Sequence, residues 1–295
     1  MGTNVDLSVV IPCYNAEDTI GEQLEALTRQ VWDGSWEIVV ADNGSTDASR
    51  DVVASFRDRL PRLRSTTVSN GQGPSHSRNA GVRCAHGDRI LLCDADDVVA
   101  DDFVPVMARA LEEHDFVACR LEETRLNEPW QFESWKNGQK DGLLAASSPF
   151  LPYAGGGTLG FRRWVFDRVG GFDEELRVRE DTDFCWRVQL AEVPLHFVAE
   201  TEIHYRYPKE YSDMFRQSRL LATYRVLLYK RYRPHGLPKV PIRKALRGKQ
   251  TWRKLLKRTL RFRDRDRATR AALVRDLGDK VGRLQGSLRA RTLLL

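Results

Sequence analysis

The first hundred residues alternate between short apolar segments and segments with helical periodicity, and this alternation constrains the fold more than any other feature. Four buried strands are predicted, at 7–12, 36–41, 65–69 and 89–93. We expect Pro12 to end the first strand, because proline has no backbone N–H to donate. In the helix that follows, apolar residues recur at Ile20, Leu24, Leu27 and Val31. The pattern predicts an α/β fold with a doubly wound parallel sheet.

The fourth strand ends in three acids, Asp94, Asp96 and Asp97. On extended backbone Asp94 and Asp96 point the same way, so their charges repel unless a cation lies between them. Mg²⁺ and Mn²⁺ accept a few protein carboxylates together with phosphate oxygens, and the pair therefore predicts a site for one of these ions. The alternative is that these acids cap the next helix; we assign capping to Asp101 and Asp102.

Other polar residues follow the strands, where ligands of parallel sheets bind. They are Pro12, Tyr14, Asn15, Asp42, Asn43, Arg78 and Asn79. Asp42 can accept a hydrogen bond from a nucleobase N–H, Tyr14 can lie against a ring, and the helix that starts near Gly73 can face phosphate. Asp42 and Asn43 are equally suited to a simple turn, and Arg78 to a solvated helix surface. No G-x-G-x-x-G follows the first strand and no P-loop motif occurs, which argues against dinucleotide-binding and P-loop proteins.

The net charge of +6 hides an asymmetry, because residues 216–295 contain 25 Lys/Arg against 4 Asp/Glu. We therefore predict a globular domain at 1–210 and a basic helical extension at 211–295. Two stretches of the extension, 212–233 and 250–262, read as basic amphipathic helices, which suit the surface of an anionic membrane. The alternatives are a helix packed on the protein with a basic rim, and nucleic-acid binding.

The five cysteines form no C-x-x-C pair, and we expect buried thiols rather than disulfides or a zinc site. No apolar run approaches the roughly 18–20 residues that span a bilayer, and residues 1–6 show no secretory signal. These features predict a cytoplasmic protein, peripheral on the inner face of the plasma membrane if the extension binds there.

Six blocks in order resemble one family. They are VVIPCYN at 9–15, VVADNGSTD at 39–47, SRNAG at 77–81, LLCDADD at 91–97, GGGTLGFRRWVFDRVGGFDEEL at 155–176 and REDTDFCWR at 179–187. Together they resemble the inverting family 2 glycosyltransferases, and the resemblance covers about residues 5–207. It implies a GT-A fold, which is Rossmann-like, with a mostly parallel sheet and helices on both faces.

The resemblance also implies roles on the donor side. The aspartate matching Asp42 binds the nucleobase, and the residues matching Pro12, Tyr14 and Asn15 line the base and ribose. The D-x-D motif, here Asp94-Ala95-Asp96, holds the ribose side and the metal bound to the diphosphate. We place two further donor-binding residues beside it, Arg78 and Asn79.

On the catalytic side the matching Glu-Asp pair is Glu180 and Asp181. An inverting transfer needs a carboxylate opposite the leaving diphosphate, to take the proton of the acceptor hydroxyl. We choose Asp181 as this base, with Glu180 orienting the acceptor and Asp183 as the rival. The pair also suits a helix cap. His204 matches a histidine that in part of the family completes the metal shell, although a packed histidine fits equally; Arg206 suits either the diphosphate or a surface acid.

Acceptor recognition is less defined. Gly155–Thr158 resembles the glycine-rich acceptor loop, where a missing Cβ lets a substrate approach the backbone. Trp130, Phe132 and Trp135 suit either sugar stacking or a small core, and 122–150 matches no motif firmly.

The sequence thus predicts a metal-dependent hexosyltransferase that uses Mn²⁺ or Mg²⁺. It would move a sugar from a nucleoside-diphosphate donor, by default UDP-linked, to a hydroxyl of a glycan or lipid-linked saccharide in cell-envelope or polysaccharide synthesis. Guanine or thymine also offers the N–H that Asp42 would bind. The alternatives are a non-catalytic protein that binds nucleic acid or membrane through its tail, and a sugar nucleotidyltransferase, which should carry a basic glycine-rich loop after the first strand.

Overall fold

The computed structural model describes residues 5–68, 71–135, 138–145, 150–240, 262 and 265–292. The chain divides into two units. The first comprises Met1–Arg125, Gly138–Leu144 and Pro152–Arg206, and the second Leu126–Asn137, Ala145–Leu151 and Tyr207–Leu295. The predicted boundary at residue 210 stays a prediction.

The first unit holds the sheet and six of the described helices. Its strands are β1 (Leu7–Cys13), β2 (Trp36–Asp42), β3 (Leu63–Thr67), β4 (Arg89–Leu92), β5 (Val98–Val99), β6 (Phe116–Glu122), β7 (Leu159–Arg162) and β8 (His196–His204). Its helices are α1 (Ile20–Thr28), α2 (Ser49–Ser55), α3 (Pro74–Cys84), α4 (Phe103–Glu113), α6 (Arg163–Val169) and α7 (Glu180–Leu190). A 3₁₀ turn at Gly156–Thr158 precedes β7.

The strands form one sheet in the order β3-β2-β1-β4-β7-β6-β8-β5. The first four in this order are parallel, as the alternation of strands and helices predicts. Beyond β4 the sheet is mixed, because β7 pairs antiparallel with both β4 and β6, and β6 pairs parallel with β8. The polar residues that follow β1, β2 and β4 therefore meet at one edge of the sheet.

Burial explains why these strands form. Every residue of β1 except Pro12 is buried, as is every residue of β2 except Trp36, which is typical of central strands covered on both faces. β3 alternates buried and more exposed positions, as an outer strand does. A large core cluster includes Val10, Leu92, Phe161 and Phe184 and joins the sheet to α3, α6 and α7.

Three local expectations are wrong. Pro12 does not end β1, which runs on to Cys13; it lies beyond the last pair with β4, Val10 with Leu92, so its missing N–H interrupts no pairing there. Val31 lies past the end of α1 and is 81% exposed. Asp101 and Asp102 do not cap α4 with their side chains: Asp101 pairs with Arg29 at 2.9 Å, and Asp102 accepts from the Thr201 hydroxyl at 2.7 Å.

The second unit is helical, with α5 (Pro129–Glu133), α8 (Tyr211–Tyr232) and α9 (Arg267–Ala290). α8 and α9 pack closely because α9 carries glycines at 278, 282 and 286 where it meets α8. A Cβ at Gly278 would lie 2.7 Å from the Phe215 carbonyl oxygen, and one at Gly286 would lie 2.6 Å from that of Thr223. The Thr223 hydroxyl also donates to the Gly282 carbonyl at 3.1 Å.

The apolar face predicted for 212–233 is partly buried in the folded protein. Tyr224, Leu228 and Tyr232 are buried, which favours the packed helix over one lying in a membrane. Trp130 likewise belongs to a small core with Met214 and Ala271, so its geometry favours the core alternative over sugar stacking. Nearly all of the 250–262 stretch lies outside the described residues. In the described part of the chain no helix is long and apolar enough to cross a membrane.

Candidate active site

The acids after β4 lie on a turn. The prediction that Asp94 and Asp96 point the same way assumed an extended backbone, and that assumption is wrong. Ala95 and Asp97 are buried, whereas Asp96 is exposed. Asp97 accepts the backbone N–H of Arg206 at 2.9 Å. Crowding by surrounding protein atoms and the charge of Asp94 raise the pKa of Asp96 to about 6, even though its carboxylate stays accessible.

Arg78 on α3 connects this turn to the start of α7. The residue is only 4% exposed, so its reading as a solvated helix residue is wrong. One guanidinium nitrogen lies 2.7 Å from Asp94 Oδ1, and the other is hydrogen-bonded to Glu180. Burial alone would lower the pKa of Arg78, but the neighbouring acids raise it above its ordinary value. The cation is therefore permanent and serves two carboxylates from different elements.

The glycine-rich turn closes over this ion pair. A Cβ on Gly156 would lie 2.7 Å from the guanidinium carbon of Arg78, and one on Gly157 would lie 2.8 Å from Asp94 Oδ2. The missing side chains thus make room for the protein's own charged groups, whereas the resemblance implied room for an acceptor. The Gln139 side chain holds this turn, because it accepts from Gly155 N–H at 2.9 Å and donates to Thr158 Oγ1 at 2.7 Å.

Glu180 and Asp181 begin α7 beside this turn. Glu180 is buried, and burial raises its pKa to about 7; the Arg78 charge opposes this rise and the Asp181 charge adds to it. Asp181 is half-buried and accepts the Gly156 N–H at 3.2 Å. The rival base, Asp183, is fully buried and forms an ion pair with Arg187 at 2.6 Å. This environment favours a structural role for Asp183 over a role as the base.

The predicted nucleobase site lies at the ends of β1 and β2. Asp42 is 4% exposed and accepts from Arg50 Nε at 2.7 Å and from Ser45 N–H at 3.2 Å. Burial alone would raise the pKa of Asp42, but the donors from Ser45 and Arg50 lower it, so the carboxylate is ionised. Its neighbour Asn43 has a buried side-chain nitrogen with no hydrogen-bond partner among the described residues.

Tyr14 and Asn15 follow β1 at the same edge. Tyr14 is 57% exposed and is available to a planar ligand. Asn15 adopts a left-handed conformation with φ of 47°, and its side-chain oxygen accepts the Thr46 N–H at 2.9 Å. The loops after β1 and β2 are therefore joined directly.

Two predicted site residues are engaged elsewhere. Asn79 is 1% exposed; its amide donates to the Phe172 carbonyl at 2.8 Å and accepts the Phe172 N–H at 2.8 Å. These bonds give Asn79 a structural role, and its contact with the donor stays a prediction. His204 Nδ1 lies 2.9 Å from Glu122, and Nε2 lies 2.8 Å from the Arg125 guanidinium. With both ring nitrogens engaged, His204 offers no ligand atom in this geometry.

The predicted metal ligands are Asp94, Asp96 and His204. No group of three or more His, Cys, Asp or Glu side chains suited to a metal occurs in the part of the chain that the structure describes, so the predicted set of Asp94, Asp96 and His204 does not form. Asp94 and Asp96 remain, as accessible carboxylate oxygens on one turn. This set fits Mn²⁺ or Mg²⁺ that takes its other ligands from diphosphate and water.

Several residues that shape the site were not predicted from the sequence, among them Gln23, Arg50 and Gln139. The three-glycine run was the one signal that marked a close approach. A buried glutamine or a helix arginine has no local pattern that distinguishes it from a surface residue.

Comparison with known proteins bears on this geometry. The profile of the family described as Glycosyl transferase family 2 matches residues 8–170, more than half of the chain. The chain belongs to glycosyl transferase family 2. The predicted family is therefore confirmed.

Individual relatives agree with this assignment. The glycosyltransferase EpsJ of Bacillus subtilis is 28% identical over 231 residues, which cover 68% of this chain and 64% of EpsJ. The poly(ribitol-phosphate) β-N-acetylglucosaminyltransferase TarS of Staphylococcus aureus is 33% identical over 108 residues, which cover 36% of this chain and 19% of TarS. The chain thus spans less than two thirds of the length of either curated relative.

Solved structures confirm the GT-A fold. The S. aureus TarS structure in complex with UDP-GlcNAc has a TM-score of 0.54 at 24% identity, covering 74% of this chain and 66% of that one. The mannosyltransferase PcManGT of Pyrobaculum calidifontis, in complex with GDP-Man and Mn²⁺, has a TM-score of 0.59 at 17% identity, covering 100% and 77%.

The raised pKa of Glu180 makes stability depend on pH. Between its ordinary value of 4.5 and about 7, the folded protein holds a proton that the unfolded chain has released. This contribution to stability is complete below pH 4.5 and is lost as the pH rises through 7. We therefore expect the melting temperature of the wild type, relative to that of Glu180→Gln, to fall between pH 4.5 and 7.5. Thermal unfolding across this range measures it, with the exposed Glu200→Gln as baseline; a flat difference would contradict the shift.

Proposed function

We propose that this glycosyltransferase inverts configuration as it moves a sugar from a UDP-linked donor to a hydroxyl acceptor. The observation that carries the proposal is the convergence of two acidic elements on Arg78. This residue bonds Asp94 after β4 and Glu180 at the start of α7, and Asp181 lies beside the same glycine turn. The acid proposed to hold the leaving diphosphate and the acid proposed to take the proton would thus lie close to each other.

The donor nucleotide would lie at the ends of β1 and β2. We assign the base to Asp42 and the neighbouring Pro12, with Tyr14 against the ring and Asn15 holding the loop. Asp42 is ionised and would accept a hydrogen bond from an N–H group such as that of uracil. Arg50 would bind the same carboxylate at the same time. The UDP-GlcNAc complex of TarS supports uridine as the default.

Asp94 and Asp96 would hold the metal, with Ala95 packed beneath them. A bound Mn²⁺ or Mg²⁺ supplies charge compensation for the departing diphosphate. The chain's own contribution is to orient both carboxylates: Arg78 holds Asp94, and the buried Ala95 anchors the turn between them. The Mn²⁺ in the PcManGT complex supports this choice of ion.

Asp181 would accept the proton of the acceptor hydroxyl as its oxygen attacks the sugar carbon. Its half-buried carboxylate lies at the glycine turn, whereas Asp183 is enclosed with Arg187. Glu180, paired with Arg78, would orient the acceptor side without leaving its buried position. The TarS relative acts on poly(ribitol-phosphate), which supports a cell-envelope glycan or lipid-linked saccharide as the acceptor class.

A test of the donor and metal sites uses binding rather than turnover. We expect UDP with Mn²⁺ to raise the melting temperature well beyond the sum of the separate shifts, because each completes the other's ligand set. Asp96→Ala should abolish this synergy. Asp101→Ala, which removes an exposed aspartate outside the turn, is the matched control. Equal synergy in Asp96→Ala would remove this residue from the metal site.

A second test addresses the base. Asp181→Asn should bind UDP and Mn²⁺ normally while transfer falls by about a hundredfold or more, since general-base catalysis is worth that much. Asp183→Asn should instead lower the melting temperature, because it breaks a buried ion pair. Single-turnover transfer and thermal unfolding of both variants distinguish the roles. Unchanged transfer in Asp181→Asn would refute its assignment.

The second unit suggests where the enzyme acts. We propose that its basic surface binds anionic lipid at the inner face of the plasma membrane by charge, without insertion of α8, because Tyr224, Leu228 and Tyr232 of that helix are buried in the protein. The 25 Lys/Arg against 4 Asp/Glu in residues 216–295 support this. Each basic residue near such a surface contributes about 1 kcal/mol.

Vesicle sedimentation tests this proposal. We expect the full chain to bind vesicles that contain phosphatidylglycerol and to be released by about 0.5 M salt, because the Debye length then shrinks to a few ångströms. Vesicles of phosphatidylcholine alone are the control. Replacing Lys230 and Lys239 with Glu should weaken binding. Binding that salt does not reduce, or a preference for duplex DNA over vesicles, would contradict the proposal.

A further inference from the structure

The turn that carries Asp94 and Asp96 is closed by a side chain from another element. Gln23 on α1 donates its amide N–H to the Asp94 carbonyl at 3.1 Å, and its amide oxygen accepts the Val99 N–H at 3.0 Å. One side chain thus joins the two ends of the segment 94–99. Gln23 is fully buried, so water does not compete for these bonds.

A second contact holds the middle of the same turn. Arg206, which follows β8, donates its Nε–H to the Asp96 carbonyl at 2.8 Å and its backbone N–H to the Asp97 carboxylate at 2.9 Å. Its far guanidinium nitrogen pairs with Glu22 at 2.8 Å. Glu22 and Gln23 are neighbours on α1. Contacts from α1 and from Arg206 after β8 therefore hold the turn together.

These contacts oppose electrostatic repulsion within the turn, because three carboxylates lie within four residues. Their mutual repulsion favours any backbone rearrangement that separates them. Gln23 and Arg206 bind the carbonyls of Asp94 and Asp96, and these bonds fix the peptide planes from which the two carboxylates project. Ligand geometry at a metal must be held to about 0.5 Å, which a free turn does not provide.

We propose that Gln23 is a positioning residue for the metal and diphosphate: it holds the backbone of the acidic turn so that Asp94 and Asp96 present their oxygens together. The inference rests on the proposed function, because it assumes that these two carboxylates bind the ion. It assigns Gln23 no contact with substrate.

The chain offers a matched control seven residues away. Gln30 is also buried; it donates to the Ala100 carbonyl at 2.8 Å and accepts the Val104 N–H at 2.8 Å. It therefore makes the same kind of bridge, but to the segment that leads into α4 rather than to the acidic turn. At nearly constant side-chain volume, Gln23→Met removes two hydrogen bonds and Gln30→Met removes three, the third being a bond from Gln30 to the Ala26 carbonyl.

The experiment measures the affinity of UDP with Mn²⁺ by calorimetry, together with thermal unfolding, for the wild type and both variants. We expect both variants to lower the melting temperature, Gln30→Met at least as much as Gln23→Met, because it removes one hydrogen bond more. Only Gln23→Met should weaken Mn²⁺-dependent UDP binding, by about tenfold, because binding must then order a turn that Gln23 no longer holds. In an Asp96→Ala background the Gln23→Met effect should disappear, because the residue acts through that carboxylate.

Three results would overturn the inference. If the wild type binds UDP equally with and without Mn²⁺, the inference fails together with the proposed metal site. If the wild type shows the synergy but Gln23→Met and Gln30→Met weaken it equally, or neither does, only the role of Gln23 fails. If Gln23→Met does not fold, Gln23→Glu replaces it, since Glu keeps the acceptor for Val99 N–H and loses the donor to Asp94; undiminished binding in that variant also refutes the role.

Discussion

The ion pair of one buried arginine with two carboxylates is the interaction on which the site depends. Removing Arg78 from water is costly unless its charge and its donors are matched: Asp94 pairs with one guanidinium nitrogen, and Glu180, which gains its charge as the pH rises through about 7, accepts a hydrogen bond from the other. The closeness of Gly156 and Gly157 to this group shows that the turn is shaped around it. Two consecutive elements, α3 and β4, are thereby joined to the start of α7, about a hundred residues further along the chain.

The sequence was sufficient for the parallel half of the sheet and for the acids at its edge. Alternating apolar segments report on burial, and burial decides where central strands lie, so β1, β2 and β4 were predictable. The mixed half was not, because β5 has two residues and the pairing of β7 with β4 joins segments about seventy residues apart. No local pattern encodes such long-range pairing.

The same limit applies to individual side chains. Asp94 and Asp96 follow β4 and Asp181 lies in the first turn of α7, but motif spacing does not tell which partner a side chain finds. Asn79 and His204 have side chains that can bind a substrate or a metal, yet each forms its contacts with neighbouring protein atoms. Conversely, Gln23 supports the acidic turn from a helix whose pattern reads as ordinary core. Partner choice is set by tertiary packing, and only the folded chain reveals it.

The glycine seam between α8 and α9 carries a consequence for how this region can vary. Backbones in contact leave no space that a side chain could enter, and the three glycines recur at every fourth residue. Inserting a single residue upstream in α9 would rotate this row by about 100° and turn larger side chains inward. Insertions and deletions in α9 should therefore be tolerated only when they return the glycines to the side that contacts α8. The helix pair should thus tolerate fewer changes in length than its many charged residues would suggest.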